Sequence, residues 1–164
     1  MLQKIDGFFL KKSKIASKKI FPEYNYKLNF DGCSKSNPGL AGCGAVIYNF
    51  DKEIWSDYLF VGEKFTNNHA EYAGLILGLQ QAKQYGIKKI IVEGDSLLVI
   101  NQMKGTFKCK SQNLIELYNQ AKELEKYFDC ITYIHVYRDK NIRADELSNI
   151  SIEKYLNHLA FSSN

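Results

Sequence analysis

Four carboxylates occupy places where solvated acids are not expected. Asp31 follows the apolar alternation of Tyr26-Lys27-Leu28-Asn29-Phe30 and precedes Gly32. Glu71 closes Asn67-Asn68-His69-Ala70-Glu71 and has Ala73 and Leu77 close by. Asp95 follows Ile90-Ile91-Val92-Glu93-Gly94, and Asp145 stands between Ala144 and Glu146, next to Leu147. Each falls at the carboxyl end of an expected strand or the start of an expected helix. An acid beside a core is costly unless something binds it. Four such acids converging on one point repel, and cations relieve the repulsion; hard oxygen donors select Mg²⁺ or Mn²⁺. Two such ions, roughly 3.5–4 Å apart, clamp the attacking and leaving oxygens of a phosphodiester displacement. Helix capping is the competing account, because Asp and Glu at helix starts complement the dipole. Taken singly, Glu71, Asp95 and Asp145 fit that account. Asp31 does not, since a glycine and no helix follows it. Spacing alone leaves both readings open.

The elements that must position these acids follow from periodicity. Residues 24–32 alternate as a strand. Residues 42–50 and 52–62 read as two more, joined by a turn at Asn49 to Lys52, a hairpin. Residues 66–86 read as a helix, capped by Thr66 or Asn67, with Gly86 just past its end. Ile90, Ile91 and Val92 form a continuous apolar run, as in a strand covered on both faces. Ser96 caps a short helix. Leu114, Leu117, Tyr118, Ala121, Leu124 and Phe128 fall on one stripe of a helix over 111–128. A strand over 130–138 and a final helix complete the order β-β-β-α-β-α-α-β-α. Three hairpin-linked strands followed by strands alternating with helices predict an α/β fold, a mixed five-stranded sheet flanked by helices. In open α/β sheets ligands bind beyond the carboxyl ends of the strands, where the acids lie.

With 164 residues, the chain has the size of one domain, and its composition is ordinary: 45% hydrophobic, 24% charged and 13% aromatic. Residues 1–27 hold seven lysines against Asp6 and Glu23, a balance of +5, whereas the remaining 137 residues hold 15 basic and 16 acidic groups. The expected division is therefore a basic, Lys-rich arm over 1–23 and a patterned domain over 24–164. An arm of that charge suits a phosphate-rich partner or simply solubilises the chain. No apolar run approaches the roughly 18 residues of a membrane span, and the apolar patch Gly7-Phe8-Phe9-Leu10 is too short for a secretory leader. Cys33, Cys43, Cys109 and Cys130 show no Cys-x-x-Cys spacing. They read as reduced thiols of an intracellular protein of cytoplasm or nucleus, an organelle being the less favoured address.

Residues 30–39 (FDGCSKSNPG), 66–75 (TNNHAEYAGL), 92–100 (VEGDSLLVI) and 138–149 (RDKNIRADELSN) together resemble the motifs of the type 1 ribonuclease H family, in order, over most of the chain. The resemblance implies the ribonuclease H fold. It implies cleavage of the RNA strand of RNA–DNA hybrids with two Mg²⁺ ions per site (Mn²⁺ as substitute), leaving 3′-hydroxyl and 5′-phosphate ends. By position, Asp31, Glu71, Asp95 and Asp145 match the metal-binding carboxylates, with Asp31 bridging the ions and Glu71 also touching a 2′-OH. Glu146, one residue on, points about 100° around the helix. Gly32, Asn37, Gly39, Asn67 and Asn68 match positions that contact the hybrid, and Thr66 resembles a binder of a DNA-strand phosphate. Amide side chains suit a 2′-OH, which both donates and accepts, and glycines allow close backbone approach.

The chain also departs from the pattern. Between the helices after Asp95 it has Lys104, Lys108 and Lys110 around Gly105 and Phe107, not the long basic protrusion of many members. It is similar to the compact members, and this linker must supply the grip on the DNA strand. The loop before Asp145 has no histidine; Arg138 stands there as in compact members, with Lys140 the weaker candidate. Arg cannot act as a general base near neutral pH; it can neutralise phosphate charge or aid product release. His69, His135 and His158 read as structural or surface groups. Leu97 occupies a place where many members carry a Gln that reads a 2′-OH. The implied partner is an RNA–DNA hybrid, with double-stranded RNA as a further substrate class, bound by a monomer. Two alternatives differ in class: a catalytically weak hybrid-binding module of a replication or reverse-transcription complex, and a 3′–5′ exonuclease of similar fold. The exonucleases place Asp-x-Glu on the first strand, which Asp31-Gly32-Cys33 does not match.

Overall fold

The computed structural model describes residues 24–162. The arm expected over 1–23 lies outside the described residues. The chain runs β1 (Tyr26–Lys35), β2 (Gly39–Asn49), β3 (Lys52–Phe65), α1 (Asn67–Gln84), β4 (Lys89–Gly94), α2 (Leu97–Met103), α3 (Ile115–Glu125), β5 (Cys130–His135), a 3-10 turn at Arg138–Lys140 and α4 (Ile142–Ser162). The five strands form one sheet in the order β3-β2-β1-β4-β5. β1, β2 and β3 are antiparallel, whereas β4 and β5 run parallel to β1. The element order and the mixed sheet are those the sequence predicts.

Alternation assigns the two faces. Leu28 and Phe30 of β1 and Ala45 and Ile47 of β2 point to one face, into a core completed by Tyr72, Leu75 and Leu79 of α1 and by α2 and α3. Asn29 and Asp31 of β1, Gly44 and Val46 of β2, point to the other, where α4 lies. α4 packs chiefly on β1, β2 and β3. That explains a departure at β4: Ile90 and Val92 are buried, but Ile91 is only half-buried, because its face lies beyond α4's reach.

Local signals hold where chemistry is local. The Thr66 hydroxyl accepts from the His69 amide at 3.2 Å, so Thr66 is the cap of α1. Gly86 follows the helix with φ +71°, a conformation that favours glycine. Ser96 caps α2, accepting from Val99 N at 3.3 Å. α3 begins at Ile115, four residues after the predicted start. No side chain caps it, and residues 111–114 form a turn in which Leu114 N donates to Ser111 O. β1 is also longer than the pattern predicts. It continues to Lys35, because β2 remains paired with it as far as Lys35↔Leu40.

Candidate active site

The site is made where β4 stops and β1 does not. The parallel pairing ends at Phe30↔Gly94, while Asp31 still pairs with Gly44 of β2. Asp31 is thus the first β1 residue without a β4 neighbour, and Asp95 is the first residue past β4. The shared register sets the two carboxylates side by side. Glu71 reaches them from the other face of the sheet. A Cβ on Gly32 would lie 2.1 Å from the Ala70 carbonyl carbon and 2.2 Å from Glu71 N, so only glycine lets the start of α1 rest on β1. A Cβ on Gly74 would lie 2.6 Å from Asp31 O. The result is one ligand oxygen from each of Asp31, Glu71 and Asp95, all within 4.8 Å of one another.

The electrostatics are those of crowded, buried acids. Asp31 is 3% exposed and Glu71 8% exposed. Burial, then the charges of Asp95 and Asp145, push the Asp31 carboxyl up to about 7, against a hydrogen bond from Ser148. Burial and the charges of Asp31 and Asp95 hold Glu71 well above the usual carboxylate range, opposed by the Gly32 backbone N–H and by Arg138. Glu71 Oε2 has no hydrogen-bond partner. A buried acceptor with no donor, among acids that raise one another, is a donor set built for a hard cation. The residues fit a divalent metal of the Mg²⁺ or Mn²⁺ type.

Asp145 sits in the first turn of α4, outside the set of three. Its Oδ1 accepts from Arg138 Nη2 at 3.4 Å, and its charge reaches Asp31. Arg138 is 77% exposed at the side chain. It therefore stands at the mouth, between the carboxylates and solvent. His135 Nε2 lies 3.2 Å from the Asp95 carbonyl oxygen, a structural link in keeping with its expected role. Leu97 is 54% exposed.

The glycines and amides expected to touch substrate have internal duties first. Gly32 is required by α1, and a Cβ on Gly39 would fall 1.6 Å from Lys35 O inside the turn. Asn37 Oδ1 accepts from Asn67 N at 2.9 Å, Asn67 Oδ1 accepts from Ser34 N at 2.6 Å, and Ser34 Oγ donates to Phe65 O at 2.7 Å. These bonds tie the β1–β2 turn to the start of α1. Asn37, Asn67 and Asn68 remain exposed beside it. Thr66, with Lys64, Phe65, His69 and Asn113, lines a cavity of about 310 Å³. Lys104, Lys108 and Lys110 are exposed between α2 and α3, around a Phe107 that is 43% exposed. No described contact joins them to the carboxylates.

Two supporting residues escape sequence reasoning. Asn141, 2% exposed, donates from Nδ2 to Phe30 O at 2.8 Å and accepts from Asn29 Nδ2 at 3.3 Å, fastening the entry of α4 to β1. Ser148, fully buried, donates to Asp31 Oδ2 at 2.6 Å. The available signal was helical spacing: Ser148 lies three residues past Asp145, on the same stripe.

Comparison with known proteins places this geometry. Residues 29–151 match the model of the reverse transcriptase-like family. The match covers the sheet from Asn29 onward and all four carboxylates, and the chain belongs to that family. Within it, the chain is similar to type 1 ribonucleases H. It is 41% identical over 124 residues to a bifunctional protein of Mycobacterium tuberculosis, covering 75% of this chain and 34% of that one. It is 37% identical over 124 residues to a ribonuclease HI of Halobacterium salinarum, covering 76% and 62%. The chain thus spans about a third of the mycobacterial relative's length and under two thirds of the halobacterial one's. Among solved structures, the N-terminal RNase H domain of the mycobacterial protein superposes with a TM-score of 0.78 at 37% identity, covering 84% of this chain and 99% of that one. LC11-RNase H1, solved in complex with an RNA/DNA hybrid, gives 0.75 at 34% identity, covering 80% and 99%. The ribonuclease H fold expected from the motifs is the fold observed.

Proposed function

We propose that this chain is a divalent-cation-dependent endonuclease that hydrolyses the RNA strand of RNA–DNA hybrids. The observation that carries the proposal is the convergence of Asp31, Glu71 and Asp95, with the unpartnered Glu71 Oε2 among them. These three residues would hold Mg²⁺ or Mn²⁺, with Asp145 completing a two-ion set at the rim. When bound, the ions supply Lewis acidity to the phosphodiester. The chain's own groups do the rest. The sheet and α1 bury Asp31 and Glu71 and so fix the positions of their carboxylates. The exposed Arg138 guanidinium offsets charge as phosphate enters or leaves. Water adds to phosphorus, the bond to the 3′ oxygen breaks, and the products are a 3′-hydroxyl and a 5′-phosphate.

The substrate reading rests on similar chemistry. Asn37, Asn67 and Asn68 present exposed amide groups at the β1–β2 turn and the start of α1, and amides suit 2′-hydroxyl recognition. The cavity at Thr66, with Lys64 at its edge, suits a phosphate of the DNA strand. Lys104, Lys108 and Lys110 offer a short basic grip, and a short grip gives a shallow salt dependence. The hybrid-bound structure of the LC11 relative supports this class of substrate.

The test uses labelled RNA–DNA hybrid, double-stranded RNA and single-stranded RNA, each with Mg²⁺, Mn²⁺ or EDTA. Internal cuts confined to the hybrid's RNA strand, abolished by EDTA, are expected. Full activity in EDTA, or in Asp31→Asn, would overturn the mechanism. Binding without cleavage would make the chain a hybrid-binding module.

A further inference from the structure

α4 rests closely on the sheet, and small residues permit it. A Cβ on Gly44 would meet Leu147 Cβ at 2.4 Å and Ser148 N at 2.9 Å. A Cβ on Gly42 would meet Ser151 Oγ at 1.8 Å and Ser148 O at 2.7 Å. The helix backbone therefore rests on two glycines of β2. Asp31 is the β1 neighbour of Gly44, so this contact delivers the Ser148 hydroxyl to it.

Ser148 Oγ has one proton and two oxygen acceptors within hydrogen-bond distance: Asp31 Oδ2 at 2.6 Å and Asp145 O at 2.8 Å. The shorter bond to a carboxylate is the stronger. The Asp145 carbonyl has a second donor in Asn149 Nδ2 at 2.9 Å, so it is satisfied when Ser148 turns to Asp31. Asn149 is itself held, its Oδ1 accepting from Lys35 Nζ at 2.9 Å. Ser148 therefore occupies one Asp31 oxygen from below and limits how the carboxyl can rotate. It also ties the α4 backbone that carries Asp145 to the strand that carries Asp31.

We infer that Ser148 is a positioning residue: its hydroxyl holds Asp31 in the orientation that lets the carboxylates bind a divalent cation. The inference rests on the proposed cation-dependent reading of this site. Outer partners of ligating carboxylates are typically worth about 10–100-fold in metal affinity or activity. Ser151 provides the control. Its hydroxyl is buried on the same helix and donates to Ser148 O at 2.7 Å.

The experiment measures Mn²⁺ binding to nucleic-acid-free protein by calorimetry, together with thermal melts in EDTA, for wild type, Ser148→Ala, Ser148→Cys, Ser151→Ala and Asp31→Asn. Ser148→Ala is expected to melt near wild type in EDTA and to bind Mn²⁺ at least about tenfold more weakly. Ser148→Cys, which fills similar space with a weak donor, is expected to share the defect. Ser151→Ala is expected to stay within about twofold of wild type. In cleavage assays the Mg²⁺ concentration for half-maximal rate rises for Ser148→Ala, while the KM for hybrid at saturating Mg²⁺ stays put. Wild-type Mn²⁺ affinity in either Ser148 variant overturns the inference, as does an equal defect in Ser151→Ala. Wild-type Mn²⁺ affinity in Asp31→Asn overturns the cation reading itself, so the two failures are told apart.

Discussion

The two faces of the sheet are built on different terms. Under α1, α2 and α3, large side chains meet: Leu28, Phe30, Ile47, Leu75, Leu79 and Val92 are all fully buried. Under α4, the buried apolar cluster among the described residues is Val46, Ala144 and Leu147, with Gly42, Gly44, Ser148 and Ser151 around it. Burial of apolar area stabilises in proportion to its extent. The first face therefore supplies most of what holds the fold. The second buries less apolar area, and where α4 rests on Gly42 and Gly44 it brings the Ser148 hydroxyl within hydrogen-bond reach of Asp31. Asp31 comes from the second face and Glu71 from the first, and they meet past the end of β4. The carboxylate cluster sits where the two faces meet.

The contrast between the faces can be broken by experiment. The largest effect on stability is expected from Leu79→Ala, which empties a site at the centre of the first face and costs about 2–5 kcal/mol. Denaturant unfolding measures the loss, and cleavage rate per folded molecule should not change. A fall in that rate would show that the two faces are not separable.

Asp31→Asn is expected to do the reverse. Cleavage falls by more than about 100-fold, beyond the usual cost of losing an outer-shell partner. The melting temperature in EDTA holds or rises, because one buried charge and its repulsion are gone. A loss of stability like that of Leu79→Ala would contradict the comparison.

A smaller effect comes from pH. The folded-state value of Asp31, about 7, lies above its ordinary 3.8, so the fold opposes its ionisation. Its contribution to stability is complete below about 3.8 and is lost as pH rises through about 7. Glu71 acts in the same direction. Thermal melts in EDTA should fall across that window, and Mg²⁺ should restore stability at its upper end but not its lower end. A Mg²⁺ effect equal at both ends would argue against binding by these acids.

The smallest effect is expected at the mouth. Arg138 is exposed and its pair with Asp145 spans 3.4 Å, so Arg138→Ala should change stability by less than about 1 kcal/mol. Steady-state cleavage should slow, though far less than in Asp31→Asn. A rate matching Asp31→Asn would move Arg138 from the rim into the core of the mechanism.

Much of this architecture was legible because it is written locally. Period-two and period-3.6 patterns, the Thr66 and Ser96 caps and the Gly86 stop each depend on neighbours a few residues away. So did the three acids that converge, Asp31, Glu71 and Asp95, whose motifs are short. Other features were settled only in three dimensions. The ends of β1 and α3 depended on what β2 would still pair with and on a missing cap. Gly32 and Gly39 are required by backbone that packs against them, which the short motifs do not show. Asp145 stands outside that set of three, in the first turn of α4 and paired with Arg138. Ser148 and Asp31 are 117 residues apart in sequence, and no periodicity links them. Local propensity is a property of the chain, whereas the bond between them exists only after two glycines have let a helix settle on a strand.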